Sequence, residues 1–161
     1  MTPSDRGEFF GLYKTAADNF TSQKHCAFTY RTPEGPQPLY FDVDIQTSEV
    51  VDLHTDKHHE LACRVASLMD SEGVVSYLVV QKESGYWKKK DVYATGSHLY
   101  FPGSSANNVR AEQIRVAACA FVPEIFGDLD LLNQPDDILD RSVASRRNGL
   151  LMLFDYKGPG K

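Results

Sequence analysis

Cysteine, long apolar runs and excess positive charge are all scarce in this 161-residue chain. The three cysteines, Cys26, Cys63 and Cys119, are far apart and form no C-x-x-C pair, which excludes a disulfide framework and a zinc ribbon built from this chain alone. Reduced thiols in an intracellular, reducing compartment are expected. No stretch approaches the roughly 20 apolar residues that cross a bilayer. Residues 1–20 lack the order of a secretory signal, so neither secretion nor a membrane partner is expected. Lysine and arginine total 17 against 22 acids, a net charge of −5, which excludes a strongly basic, nonspecific coat for nucleic acid. An enzyme touching nucleic acid along one groove survives that test. The bases cluster at Lys88-Lys89-Lys90 and at Arg141, Arg146 and Arg147, while acids crowd 128–140.

The composition is that of an ordinary globular chain, with 42% hydrophobic residues to build a core. Without an internal repeat, low-complexity tract or linker, one domain over 1–161 is expected. Residues 5–21 read as a helix behind Ser4, and 25–31 as a strand. The breaker-rich loop 32–38 returns the chain into a strand over 39–46. A helix is expected over 55–71, from Leu61, Val65 and Leu68, and a buried strand over 74–81. A turn at 83–86 leads to strands near 91–94 and 97–101, ended by Pro102-Gly103. A helix over about 107–121, capped by Ser104 or Ser105 and limited by Pro123, follows. A short helix near 136–140 and a strand over 149–156 complete the pattern. Strands interleaved with helices imply an α/β (α+β) fold, a mixed sheet flanked by helices.

The most informative stretch is Leu39-Tyr40-Phe41-Asp42-Val43-Asp44-Ile45. On a strand Asp42 and Asp44 share one face while Phe41, Val43 and Ile45 point into a core. At ~3.3 Å of rise per residue their α-carbons lie roughly 6.5–7 Å apart, close enough to converge on one cation. Oxygen ligands alone favour a hard ion, Mg²⁺ or Mn²⁺. A bare D-x-D is equally the pattern of a solvated face or of an edge guarded by charge.

Three further sites bear on that pair. In Gly96-Ser97-His98-Leu99-Tyr100-Phe101-Pro102 the glycine permits close approach by a ligand or a neighbouring backbone, and Ser97 and His98 carry donors suited to phosphate oxygens. No strand–turn–helix elbow surrounds Ser97, which argues against a nucleophilic serine. Among the acids at 128–140, Asp140 stands out in the apolar frame Ile138-Leu139 and Val143. A third carboxylate would let the strand pair hold two metals roughly 3.5–4 Å apart, as phosphoryl transfer uses. Asp128-Leu129-Asp130 is a second D-x-D and a possible decoy. Arg146, Arg147 and Lys157 have the chemistry of a triphosphate grip, and equally that of a solvated basic turn.

In this order the motifs resemble the catalytic domain of the archaeo-eukaryotic primase superfamily, and within it the primases and primase-polymerases of large DNA viruses. The resemblance runs over residues 39–157. It implies an RRM-like palm, with Asp42, Asp44 and Asp140 as catalytic metal ligands for Mg²⁺ or Mn²⁺. It also implies nucleotide contacts from Ser97, His98, Arg147 and Lys157. The implied activity is primer synthesis or extension for DNA replication on a single-stranded DNA template from nucleoside triphosphates, with a replicative helicase as a further partner. Two departures stand out. Val143-Ala144 occupies the place of a V-Y pair, and Leu150-Leu151-Met152 lacks the family's nucleotide-contacting arginine at 151, a role open to Arg146 or Arg147. An excised or reduced domain is one expectation from these departures.

Trp87, Lys88, Lys89 and Lys90 form either a solvated hairpin or a nucleic-acid track in which Tyr86 and Trp87 stack a base. His54 and His58 have the i, i+4 spacing of a zinc pair, but lack a third ligand and read as part of an exposed helix start, together with His59. Cys63 and Cys119 are expected as small core residues. Two other functions remain open from the residues alone, a metal-dependent nuclease and a noncatalytic subunit that binds single-stranded DNA or a partner protein.

Overall fold

The computed structural model describes residues 29–30, 36–51, 55–69, 76–81, 85–141 and 150–151. Along the chain the described elements are β1 (Thr29–Tyr30), β2 (Gln37–Thr47), α1 (Thr55–Met69), β3 (Leu78–Gln81), β4 (Tyr86–Lys89), β5 (Val92–Ala106), α2 (Asn108–Cys119), α3 (Val122–Phe126), α4 (Pro135–Ile138) and β6 (Leu150–Leu151). They belong to two compact units, one of Met1–Arg31 with Gly149–Lys161 and the other of Thr32–Asn148. In the first unit β1 and β6 pair antiparallel, Thr29 opposite Leu151. The helix expected over 5–21 and the residue Cys26 lie outside the described residues.

The second unit is an α+β layer structure. β2 lies along one edge of β5, and β3 and β4 pair with the other. Where a mixed sheet was expected, every described pairing is antiparallel. The sheet is amphipathic for the reason its sequence suggests. Phe41, Val43 and Ile45 are buried on one face with Leu99 and Phe101 of β5. This face packs on Leu61, Ala62 and Val65 of α1, on Ala111, Ile114 and Ala118 of α2, and on Val122, Ile125 and Phe126 of α3. The helices thereby fix one face of the sheet and leave the acids of β2 on the other.

Several boundaries differ from expectation, each with a local cause. The strands expected at 91–94 and 97–101 are one element, because Gly96 pairs directly with Asp44 and lets the ladder continue. Pro102-Gly103 does not end β5. The register shifts between Gln37 and Leu39 instead, and Ser104 patches the irregularity, its Oγ accepting from Leu39 N at 2.8 Å and donating to Phe101 O at 2.7 Å. Ser104 is therefore not the cap of α2. Asn107 is, its Oδ1 accepting from Arg110 N at 2.9 Å. Pro123 sits in the first turn of α3, where its missing N–H costs nothing. α4 stops at Ile138 because Leu139 turns extended and bridges to Val43. Cys63 is exposed, against expectation, while Cys119 is half-buried and packs against the core. No helix among the described residues is long and apolar enough to cross a membrane.

Candidate active site

Cross-strand register brings the acidic face together. Asp42 stands opposite His98, Asp44 opposite Gly96 and Tyr40 opposite Tyr100. Directly opposed residues of an antiparallel pair project from the same face, so Asp42, Asp44 and His98 share one surface. His98 Nε2 lies 3.4 Å from Asp42 Oδ1. On its other side His98 Nδ1 is 3.5 Å from the Tyr100 hydroxyl, with the two rings edge to face. Burial, with Asp42 and Tyr40 nearby, pushes the Tyr100 phenol up to about 12, so it stays protonated through neutral pH. Asp42 Oδ1 and the Tyr100 hydroxyl thus flank the two ring nitrogens of His98.

Asp140 is tied to β2 by a backbone hydrogen bond. Residues 131–140 run along the edge of β2 away from β5. Leu132 N donates to Gln46 O at 2.8 Å, and Asp140 N donates to Asp42 O at 3.0 Å. Between them the Asn133 carboxamide substitutes for a missing peptide, its Oδ1 accepting from Gln46 N at 3.0 Å and its Nδ2 donating to Asp44 O at 2.8 Å. An open edge is thereby covered, and the backbone of Asp140 is carried to the rung of Asp42. Nothing in the sequence pattern pointed to Asn133.

A second contributor that sequence reading missed is Arg115. Its guanidinium is buried (2% exposed). Nε and Nη2 form a fork onto Glu112 at 2.9 and 3.0 Å, and Nη1 reaches Asp136 Oδ1 at 3.0 Å and the Leu139 carbonyl at 3.2 Å. Glu112 is held below its usual range, chiefly by Arg115. Arg141 also binds Glu112, at 3.2 Å. The available signal was an arginine inside the apolar stripe of the helix beside Ile114.

Other expected residues fall elsewhere. Ser97 is fully buried on the opposite face, its Oγ 2.7 Å from His58 Nδ1, so its hydroxyl does not join His98. His58, expected at an exposed helix start, is buried against Ser97 and the Phe126 ring. The Asp128-x-Asp130 pair is used structurally, Asp128 by Lys57 at 2.6 Å and Asp130 by the Ser48 hydroxyl. Trp87, Lys88, Lys89 and Lys90 are exposed on the hairpin that turns at Asp91, a residue with φ 61°. Arg146, Arg147, Lys157 and His54 lie outside the described residues.

The donor set suits a hard divalent cation, since carboxylates on one surface provide oxygen ligands. Among the described residues, no group of three or more His, Cys, Asp or Glu side chains is placed to hold a metal ion.

The family described as the C962R protein N-terminal AEP domain, an archaeo-eukaryotic primase domain of large DNA viruses, matches residues 1–161. The chain belongs to this family. The antiparallel four-strand sheet with its helices is consistent with a fold of the archaeo-eukaryotic primase type. No curated protein and no solved structure matches the chain.

Proposed function

We propose that this primase-family domain is a template-directed nucleotidyltransferase that makes or extends primers on single-stranded DNA. The observation that carries the reading is the shared surface of Asp42, Asp44 and His98, with Asp140 tied by its own N–H to the carbonyl of Asp42. Asp42, Asp44 and Asp140 would hold Mg²⁺ or Mn²⁺ there. The chemistry such ions supply when bound is a lowered pKa for the attacking 3′-hydroxyl and neutralisation of the departing pyrophosphate.

The chain's own residues then bind and orient. His98 presents Nε2 toward the surface where triphosphate oxygens would meet the carboxylates, with the Tyr100 hydroxyl behind it at Nδ1. Gly96, with no side chain, lets β5 lie close against β2 at the rung of Asp44. Lys88, Lys89 and Lys90 would follow template phosphates. Arg146 or Arg147 would bind the triphosphate.

The test is template-dependent nucleotide incorporation in Mg²⁺ and in Mn²⁺, comparing wild type with Asp42→Asn/Asp44→Asn. Incorporation by the wild type that the double variant loses is the expected result. DNA cleavage in Mn²⁺ without nucleotides would instead assign a nuclease. DNA binding indifferent to metal and to both substitutions, without incorporation, would assign a noncatalytic binding subunit.

A further inference from the structure

Asp140 sits at the end of a short segment whose flanks are both tied to α2. On its N-terminal side the Arg115 guanidinium holds the Leu139 carbonyl at 3.2 Å and the Asp136 carboxylate at 3.0 Å. On its C-terminal side Arg141 holds Glu112 at 3.2 Å, and Glu112 is the same carboxylate that receives the Arg115 fork. Leu139 itself bridges to Val43, the residue between Asp42 and Asp44.

A buried guanidinium is expensive unless its donors are used, and replacing it with apolar side chains often stabilises a core. Here the donors are spent on the turn that delivers the third carboxylate. A point charge could neutralise Glu112, but a planar fork with a remaining N–H is needed to reach Glu112, Asp136 and the Leu139 carbonyl together.

We propose that Arg115 is a positioning residue for Asp140, setting the place of the third carboxylate against β2 through the Leu139 carbonyl, Asp136 and Glu112. Its consequence for metal binding rests on the function proposed above; its consequence for Asp140 does not. The two are measured separately.

The experiment compares Arg115→Lys with wild type and with Ile114→Val, a core change on the same helix that lowers stability without touching the fork. Amide hydrogen exchange reads the Asp140 N–H, which is bonded to the Asp42 carbonyl. In Arg115→Lys exchange at Asp140 should rise by about tenfold or more, while the β2–β5 amides at Val43 and Leu99 stay protected. Ile114→Val should leave Asp140 protected. Mn²⁺, added alone and followed by its paramagnetic resonance, should require a several-fold higher concentration to saturate Arg115→Lys than the wild type. Should Arg115→Lys not fold, Asp136→Asn loosens the same turn from an exposed position and should raise Asp140 exchange in the same direction. Unchanged exchange at Asp140 in a folded Arg115→Lys, or in Asp136→Asn, overturns the proposal. If the wild type binds no Mn²⁺ while the exchange result holds, the metal-site reading falls and the positioning role stands.

Discussion

Asp42 and His98 face each other across the β2–β5 ladder, Asp42 Oδ1 3.4 Å from His98 Nε2. The contact couples the D-x-D strand to the histidine strand, so each orients the other before any substrate arrives. Asp42→Asn preserves the size of the side chain and a polar group facing the imidazole, while removing the charge. The expected outcome is a folded protein with an unchanged melting curve. Incorporation should fall by roughly 10²–10⁴-fold, the equivalent of several kcal/mol of lost charge stabilisation. His98→Ala should act differently, raising the KM for nucleotide more than it lowers kcat. Steady-state kinetics on both variants separates the two roles.

Gly96 is dictated by its neighbour rather than by a turn. A Cβ built there would stand 1.9 Å from the Val43 carbonyl oxygen, so any side chain forces β5 away from β2 at the rung of Asp44. Gly96→Ala should therefore destabilise by about 1–3 kcal/mol, a fall of several degrees in Tm for a chain of this size. Activity should fall with it, since Asp44 moves. Gly103 has open space around its Cβ position, so Gly103→Ala should melt like the wild type. Paired thermal denaturation of the two variants checks the claim.

The strand alternation that set Asp42 and Asp44 against Phe41, Val43 and Ile45 was legible because period-two patterning is local. The place of His98 on a strand was legible for the same reason. What could not be read was everything decided by a neighbour distant in sequence. The partner of Ser97 is His58 on α1, and nothing in a short window ties the two. Pro102-Gly103 carries a strong stop signal, yet the strand continues because Ser104 supplies the hydrogen bonds that the irregular register leaves open. Asp140 could be singled out by its apolar frame, but the devices that deliver it, the Asn133 carboxamide and the Arg115 fork, are long-range side-chain bonds without a sequence period.

Tyr100 offers a spectroscopic report on this surface. Its phenol is pushed up to about 12, first by burial and then by the Asp42 charge. The protonated form is thus favoured in the folded protein. The corresponding stability is fully present below the ordinary tyrosine pKa of 10.0 and is lost as pH rises from there through about 12. In an absorbance titration of tyrosinate, subtracting Tyr100→Phe from wild type should isolate one late transition. Asp42→Asn should shift that transition to lower pH, because a nearby negative charge no longer opposes ionisation. A transition indifferent to Asp42 would contradict the proximity of the two groups.

The hairpin divides its two aromatics between the faces of the sheet, which assigns them different tasks. Tyr86 pairs with Ala94, two residues along β5 from Gly96 and four from His98, so it projects from the carboxylate face. Trp87 pairs with Tyr93 and projects from the opposite face, where it meets the Tyr93 ring edge-on at 5.5 Å. Both are about half exposed, so exposure alone would not distinguish them. A template strand approaching Asp42 and Asp44 would pass Tyr86 and not Trp87. Tyr86→Ala should therefore weaken single-stranded DNA binding by roughly 10–100-fold, as loss of one stacked base costs about 1–3 kcal/mol. Trp87→Ala should change it far less. Replacing Lys88, Lys89 and Lys90 by alanine should weaken all sequences alike and flatten the dependence of affinity on salt, because those residues would neutralise phosphates rather than stack bases. Fluorescence anisotropy with a labelled oligonucleotide at several salt concentrations distinguishes the three. A larger loss for Trp87→Ala than for Tyr86→Ala would put the DNA on the other face of the hairpin.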